Sequence, residues 1–398
     1  MSDEDGAEAT SAAQANRPGS PVLTPHPSPL APFTGWLAAA AIAASTLVMI
    51  VISAAGPNVS VPALRRAGGP PWWHALHLTA TFVTVSLWAA MVLGCAGVIA
   101  GLVAVARGAR PPVRPVIAAA FLAVAVLTVL PPAGSTDSIS YAAGGRTAVI
   151  GHSPYVMTPL QLARTGDPVG RQIPFGEVPS SWANAVSVYG PVATAAEWGA
   201  AELGGTSLAR ITFWLKLEEA LAFGAVILAL DRLLRRDPEM RLRAHLLWSV
   251  NPLLLWEVVA SGHIDGLAAL FGLLGVAALR ALSPLRARTP LRARTPLRAR
   301  TPHGESGSPG EIGAQAEIGV GGAILAGLLI GVAADIKVEY VLFGLAVAWA
   351  CRRSVRAFTA AAAGFAVAVI PAYLTAGRPG TRSGRRSRAS SATAANSR

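Results

Sequence analysis

The chain has 398 residues, of which 53% are hydrophobic and only 14% are charged, and its mean hydropathy is +0.48. This composition is too apolar for a soluble domain of that length, so a soluble protein is excluded and lipid must surround much of the chain. The formal net charge of +12 does not indicate nucleic-acid binding, because the arginines cluster in short segments between apolar runs, as they do in membrane proteins.

The N-terminal segment 1–34 is rich in Pro, Ser and Ala and contains acidic residues, including Asp3 and Glu4. It lacks the basic n-region of a signal peptide, so we predict a disordered cytoplasmic tail. The following segment, 35–282, contains apolar runs that reach the length of roughly 20 residues needed to cross a membrane as a helix. We therefore predict a transmembrane bundle over 35–282.

The hydropathy pattern predicts an all-α, polytopic transmembrane helical bundle with about nine spans. The predicted spans lie near 36–55, 78–106, 115–132, 207–230, 245–260, 264–282, 319–334, 338–350 and 357–376. The last three form a group of C-terminal transmembrane helices within 319–376. A large loop, 133–206, follows the third span and contains carboxylates, Arg, His, Tyr and Trp.

Arginine-rich segments set the predicted orientation of the bundle. The segments 107–114, 231–243, 283–318 and 351–356 alternate with the spans so that all four share one side of the membrane, and the positive-inside rule makes that side cytoplasmic. The loop 133–206 then faces outward. We expect a multi-pass protein of the plasma membrane with this loop on the extracytoplasmic face.

Two segments have simple sequences without apolar periodicity. In 283–318 the hexamer LRARTP occurs in consecutive copies from residue 285, which predicts a low-complexity cytoplasmic linker. The segment 377–398 predicts a disordered basic tail. The two cysteines, Cys95 and Cys351, lie far apart in the predicted topology, and we expect neither to carry chemistry.

Asp137 opens the outward loop a few residues beyond the third span. A carboxylate at this interface can act as a general base toward a hydroxyl. Local sequence alone favours a different role, in which Asp137 is the N-cap of a short helix over Ser138–Ala143 that Gly144 and Gly145 end. Both interpretations stay open at this point.

Five motifs occur in a consistent order along about half of the chain, from residue 131 to residue 340. They are TDSISYAAGGR, GHSPYVMTP, SVYGP, NPLLLWEVVASGHIDG and IKVEY. This set resembles the polyprenol-phosphate-mannose-dependent α-1,6-mannosyltransferases of actinobacteria, which belong to the GT-C class of integral-membrane glycosyltransferases. The pattern fades after about Ala376, so the chain looks C-terminally shortened relative to that family.

The resemblance implies a reaction and its partners. We expect transfer of a mannosyl residue from polyprenyl phosphomannose to a lipid-linked mannan acceptor through an α-1,6 linkage, with Asp137 as the general base. The expected partners are the polyprenyl-phosphate sugar donor, the lipid-linked glycan acceptor and membrane lipids, and no nucleic acid is expected. No cofactor is predicted, and a requirement for a divalent metal stays open.

Two cations are candidates to bind the donor phosphate. Arg146 lies in the same loop as Asp137, and Lys337 lies between two short apolar segments at the outer interface, where a cation can neutralise a departing phosphate. For Lys337, pairing with Asp335 or Glu339 is an equal alternative.

The turn after the predicted span 245–260 contains His263 and Asp265, and Glu257 precedes them on the apolar helix. These side chains can position sugar hydroxyls or the phosphate. For Asp265 a cap of the next helix is favoured, and the role of His263 is open. No HExxH or paired-cysteine spacing is present in the sequence, and these groups come from separate segments, so no metal ligand is predicted.

Turn-forming motifs add three further substrate-binding candidates, His152, Tyr155 and Tyr189. The two tyrosines can stack on a sugar face or anchor the loop at the level of the lipid headgroups, and anchoring is favoured for both.

Two alternatives to the enzyme stay open. A transporter or lipid flippase also explains charges within spans such as Lys216, which we expect to pair with Glu218 or Glu219. A truncated, inactive glycosyltransferase is the other alternative. The enzyme is favoured because the spans contain no internal repeat, and because a long polar loop is typical of a catalytic membrane protein.

Overall fold

The computed structural model describes four parts of the chain, residues 31–64, 77–177, 180–281 and 319–376. In these parts the regular secondary structure is helical, apart from one isolated bridge between residues 58 and 61. The predicted all-α class is therefore confirmed for the described residues. The predicted linker 283–318 and the tail 377–398 lie outside the described residues, as does most of the predicted N-terminal tail.

Each predicted span coincides with a helical segment of the structure. The α-helices in chain order are α1 (Ala31–Ala54), α2 (Ala80–Ala106), α3 (Val113–Val129), α4 (Asp137–Val149), α5 (Pro159–Arg164), α6 (Ser180–Ala183), α7 (Pro191–Gly204), α8 (Leu208–Leu233), α9 (Pro238–Ala244), α10 (Pro252–Leu254), α11 (Asp265–Ala281), α12 (Val320–Ile336), α13 (Leu342–Cys351) and α14 (Val355–Ala376). Short π-helical segments, His245–Ser249 and Leu255–Ala260, flank α10, and Val338–Val341 is a 3-10 turn. The first helix begins within the predicted tail.

Three described helices are long and apolar enough to cross a membrane, namely Phe33–Ala54, Ala80–Ala106 and Val355–Leu374. A fourth span results if Pro238–Ala260 and Asp265–Leu279, which meet at 117°, are one broken span. The structure thus supports a membrane protein without confirming nine crossings. Helices α3 and α12 have only 17 residues each, and α8 carries charges in its middle.

Glycines allow the membrane helices to approach closely. Helix α1 packs along α2, and α12 packs along both α11 and α14. A Cβ at Gly327 of α12 would overlap with the backbone oxygen of Ala361 on α14, and a Cβ at Gly364 would overlap with the backbone oxygen of Ile324. Small residues therefore bring these two backbones into contact, as is common between helices in lipid.

The predicted outward loop is a packed helical layer rather than an irregular connection. It contains helices α4 to α7, and α4 packs against both α7 and α8. Its buried core includes Ile139, Tyr141, Leu162, Val169, Ala193 and Ala201. The packed core of this layer therefore positions the polar side chains of the predicted loop.

Lys216 of α8 is fully buried and joins two helices. Its ammonium donates hydrogen bonds to the backbone oxygens of Leu127 and Leu130 at 2.7 Å each and to that of Pro131 at 3.2 Å. These carbonyls belong to the end of α3, where a helix leaves acceptors without partners. The predicted pairing with Glu218 or Glu219 is wrong, because the lysine is a cap for another helix.

We expect Lys216→Met to destabilise the protein by about 3 kcal/mol, because the change leaves several buried acceptors without a donor. Thermal unfolding of the detergent-solubilised chain measures the effect. Arg232→Met, at an exposed position of the same helix, is the matched control and should change stability by at most about 0.5 kcal/mol. Equal stability of the two variants would contradict the capping role.

Candidate active site

Asp137 is the first residue of α4, and its side chain does not cap the helix. Thr136 occupies the cap position without a side-chain capping bond. The amide of Asp137 donates to the hydroxyl oxygen of Ser135 at 3.1 Å. The predicted N-cap role is therefore wrong, and the carboxylate is available to partners from other segments.

Helix α4 also continues through the two glycines that were expected to end it. A Cβ at Gly145 would overlap with the backbone oxygen of Glu197 on α7. Glycine inside a helix costs about 1 kcal/mol relative to alanine, and here it permits the contact between α4 and α7. The glycine pair thus marks close packing rather than a helix end.

The turn between the π-helical segment and α11 brings His263 to Asp137. Gly262 has a φ of +71°, and a Cβ there would lie 2.9 Å from Cγ of Lys216, so the turn requires glycine. The Nε2 atom of His263 lies 3.4 Å from Oδ2 of Asp137 and 3.5 Å from Oε1 of Glu257. These are ion-pair distances, although Nε2 makes no aligned hydrogen bond.

Asp265 lies on the other side of the His263 ring. Its Oδ2 is 3.6 Å from Nδ1 of His263, and the ammonium of Lys337 donates to both of its carboxylate oxygens at 3.0 Å. The hydroxyl of Tyr340 donates to the backbone oxygen of Asp265 at 3.0 Å. Three predicted residues, His263, Asp265 and Lys337, therefore join Asp137 in one cluster.

The structure gives different partners for the cap that was favoured at Asp265 and for the alternative pairing of Lys337 with Asp335. Glu219 of α8 accepts a hydrogen bond from the amide of Leu267 at 3.1 Å and so caps α11 in place of Asp265. Asp335 accepts from the amide of Val192 at 2.6 Å and so holds the start of α7. Lys337 is thereby left to pair with Asp265.

Burial and charge act in opposite directions on His263. Its side chain is 11% exposed, whereas those of Asp137 and Glu257 are 34% and 49% exposed. Burial lowers the pKa of His263, but Asp265, Glu257 and Asp137 raise it by more, so the pKa lies above its ordinary value of 6.5. The buried imidazole therefore holds a proton to a higher pH than a free histidine does, while the carboxylate of Asp137 reaches solvent.

Two tyrosines extend the cluster toward α7. The hydroxyls of Tyr141 and Tyr189 lie 3.0 Å apart, and the rings of Tyr141 and His263 are nearly perpendicular, with 6.4 Å between their centres. Tyr189 was predicted, whereas Tyr141 and Tyr340 were missed. The signal for Tyr141 is its position four residues after Asp137, on the same face of α4.

The other predicted residues lie outside the cluster. The guanidinium of Arg146 donates two hydrogen bonds to Oδ2 of Asp167, at 2.9 and 2.8 Å, so a phosphate would have to compete with this carboxylate. His152 is exposed in the turn after α4. The hydroxyl of Tyr155 lies 2.8 Å from that of Thr194 and ties this turn to α7.

A known family covers helices α2 to α13, most of α1 and the whole cluster. The family described as alpha-(1→6)-mannopyranosyltransferase, N-terminal domain, matches residues 33–353. The chain belongs to the alpha-(1→6)-mannopyranosyltransferase family. The resemblance seen in the sequence motifs is thus confirmed at the level of the family.

A curated relative agrees with this family. The probable alpha-(1→6)-mannopyranosyltransferase of Mycolicibacterium smegmatis is 31% identical to the chain over 149 residues. The match covers 37% of this chain and 25% of the relative, so the chain spans about a quarter of the length of the relative it matches. No solved structure matches the chain.

The carboxylates of this mannosyltransferase-family site do not form a metal cage. Among the described residues, no group of three or more His, Cys, Asp or Glu side chains is arranged to hold a metal ion. Instead, the carboxylates of Asp137, Glu257 and Asp265 surround the imidazole of His263. Asp265 also pairs with the ammonium of Lys337.

We expect His263 to stabilise the fold in a pH-dependent manner. Because its pKa is higher in the folded chain than the ordinary value of 6.5, its stabilising contribution is complete below about pH 6.5 and is lost as the pH rises through the folded pKa. The stability advantage of the native chain over His263→Gln, measured by unfolding in mild detergent from about pH 5.5 to 9, should decrease across this range. An advantage that stays constant or grows would contradict the cluster.

Proposed function

We propose that the chain transfers a mannosyl residue from polyprenyl phosphomannose to a hydroxyl of a lipid-linked mannan, forming an α-1,6 linkage. Family membership supports the reaction class. The observation that carries the proposal is the partly exposed carboxylate of Asp137 beside the buried imidazole of His263. The resemblance of the sequence motifs supports the donor and the acceptor.

In the proposed reaction, the acceptor oxygen forms a bond to the anomeric carbon of mannose while the bond from that carbon to the phosphate oxygen breaks. The electron pair of the broken bond leaves with polyprenyl phosphate. Asp137 accepts the proton of the attacking hydroxyl, as a general base must. The atoms and charges balance without a cofactor or a redox partner.

His263 acts as a positioning residue for Asp137. The imidazole lies between Asp137 and Asp265, and Asp265 is itself held by Lys337 and Tyr340. The contact with the imidazole holds the carboxylate of Asp137 in one place, where a carboxylate oxygen can accept the proton of an acceptor hydroxyl. The distances of 3.4 to 3.6 Å are loose, as is common before substrate binds.

Lys337 is the proposed partner of the leaving phosphate. An ammonium has three N–H donors, and the carboxylate of Asp265 takes two of them. The side chain is 23% exposed, so its remaining donor can reach a ligand. A cation at this position stabilises the negative charge that develops on the departing phosphate.

The arginine distribution supports placing the site on the extracytoplasmic face of the plasma membrane. The donor then approaches Asp137 from within the lipid bilayer, and the isoprenoid tail of the donor stays among the apolar helices. Large exposed apolar side chains on α1 and α2, such as Trp36 and Trp88, suit contact with membrane lipids.

The central test is transfer of labelled mannose from polyprenyl phosphomannose to a lipid-linked mannoside acceptor in membranes that contain the chain. We expect Asp137→Asn to reduce the rate by at least about a hundredfold, because it removes the general base. Glu202→Gln, which makes the same chemical change at an exposed position of α7, is the matched control and should keep the rate.

The result distinguishes the proposal from its alternatives. Transfer that persists in Asp137→Asn would exclude this carboxylate as the base. Absence of transfer by the folded native chain, with mannose and with other sugars on the same lipid carrier, would contradict the enzyme and favour a transporter or an inactive glycosyltransferase.

A further inference from the structure

A buried carboxyl group without a partner lies in a small cavity between α4 and α7. Glu197 of α7 is 1% exposed, and its Oε2 atom has no hydrogen-bond partner among the described residues. The cavity is also lined by Ser140, Tyr141, Thr147, Ser187 and Tyr189. Burying a polar group without a partner costs free energy. The presence of an acidic side chain at this buried position therefore calls for a functional explanation.

The chemistry of the cavity is that of a site for an alcohol. Burial, and then the nearby charge of Glu218, raises the pKa of Glu197 well above its ordinary value, which favours the neutral acid. A neutral carboxyl group donates one hydrogen bond and accepts others. A hydroxyl group can do the same, so the two groups can pair in either direction. The serine and tyrosine hydroxyls of the lining can act in the same two ways.

Other ligand classes fit less well. No Lys, Arg or His side chain lines the described cavity, so a phosphate would find no cation there. A cation would need an ionised ligand, and the burial of Glu197 disfavours the ionised form. Because the cavity is small and polar groups line its walls, it suits a hydroxyl or hydroxymethyl group rather than a lipid chain.

The cavity lies on the same side of α4 as the proposed general base. Gly144 follows Asp137 by seven residues, which corresponds to about 10 Å along a helix axis. Tyr141 lies between them and faces both the cavity and His263. A single hexose is shorter than this distance, so a glycan whose reacting sugar is at Asp137 reaches the cavity with the next sugar of the same chain.

Gly144 keeps this space open. A Cβ at that position would lie 2.7 Å from Oε2 of Glu197, so any larger residue would push the carboxyl group aside. Unlike Gly145, which is pressed against the backbone of α7, Gly144 faces the end of a flexible side chain. The glycine therefore gives the carboxyl group the room to lie in the wall of the cavity.

We propose that Glu197 binds one hydroxyl group of a hexose unit of the glycan substrate, in a subsite about 10 Å from Asp137. This inference rests on the proposed function, since it takes a sugar as the ligand. Glu197 is then a specificity-determining residue that does not touch the reacting atoms.

The test measures sugar binding without transfer. The full chain in detergent is titrated by nuclear magnetic resonance with methyl α-D-mannopyranoside and with its 2-, 3-, 4- and 6-deoxy analogues. The native chain should bind one of the four analogues about tenfold more weakly than the parent sugar, which is the usual loss for one hydrogen bond to a buried polar group. Glu197→Leu should bind the parent and that analogue with equal, weak affinity.

Two further variants separate a lost contact from a lost fold. Gly144→Ala fills the cavity from the opposite wall and favours the helix, so it should fold and also lose the discrimination. Gly199→Ala, on the same helix as Glu197 and facing open space, should bind as the native chain does. Thermal unfolding confirms that each variant is folded.

The subsite is overturned if Gly144→Ala and a folded Glu197 variant keep the native ranking of the analogues, or if the native chain binds none of the sugars. Binding by Asp137→Asn separates this inference from the proposed function. We expect that variant to keep the full discrimination. A chain that discriminates among the sugars but transfers none would keep the subsite and contradict the transferase.

Discussion

The ammonium of Lys216 holds together the parts of the molecule on which the site depends. It binds the carbonyls at the end of α3, directly before the segment that leads to Asp137. Its side chain also lies against Gly262, in the turn that carries His263. A buried charge is tolerated only with such partners. One side chain therefore touches both the end of α3 and the His263 turn, and so holds the start of α4 close to that turn.

The cluster that results brings opposite charges together from segments that are distant in sequence. Asp137, His263 and Lys337 come from the start of α4, the turn before α11 and the end of α12. Asp265 lies between His263 and Lys337, and Asp137 lies near the same imidazole. In contrast, no cationic side chain lines the described cavity that holds Glu197. This difference separates the charged cluster at Asp137 from the buried carboxyl group of Glu197.

The sequence predicted the helical segments and most of the cluster, because each polar motif directly follows an apolar run. It failed where the partner of a side chain belongs to another segment. Local spacing favoured Asp137 and Asp265 as caps, yet Glu219 caps α11 and both aspartates face His263. Local spacing likewise paired Lys216 with its neighbours. Nothing local indicates that Glu197 lies opposite Gly144, since only the packing of α7 on α4 brings them together.

A double-mutant cycle tests most directly whether the start of α4 and the His263 turn share one site. Nε2 of His263 lies 3.4 Å from Oδ2 of Asp137, and the effects of changes at two side chains in contact depart from additivity by about 0.5 kcal/mol or more. The measurement is the free energy of unfolding, in mild detergent, of the native chain, Asp137→Asn, His263→Gln and the double variant. We predict that the losses of stability in the two single variants sum to at least about 0.5 kcal/mol more than the loss in the double variant. Additive losses would contradict the shared site of Asp137 and His263.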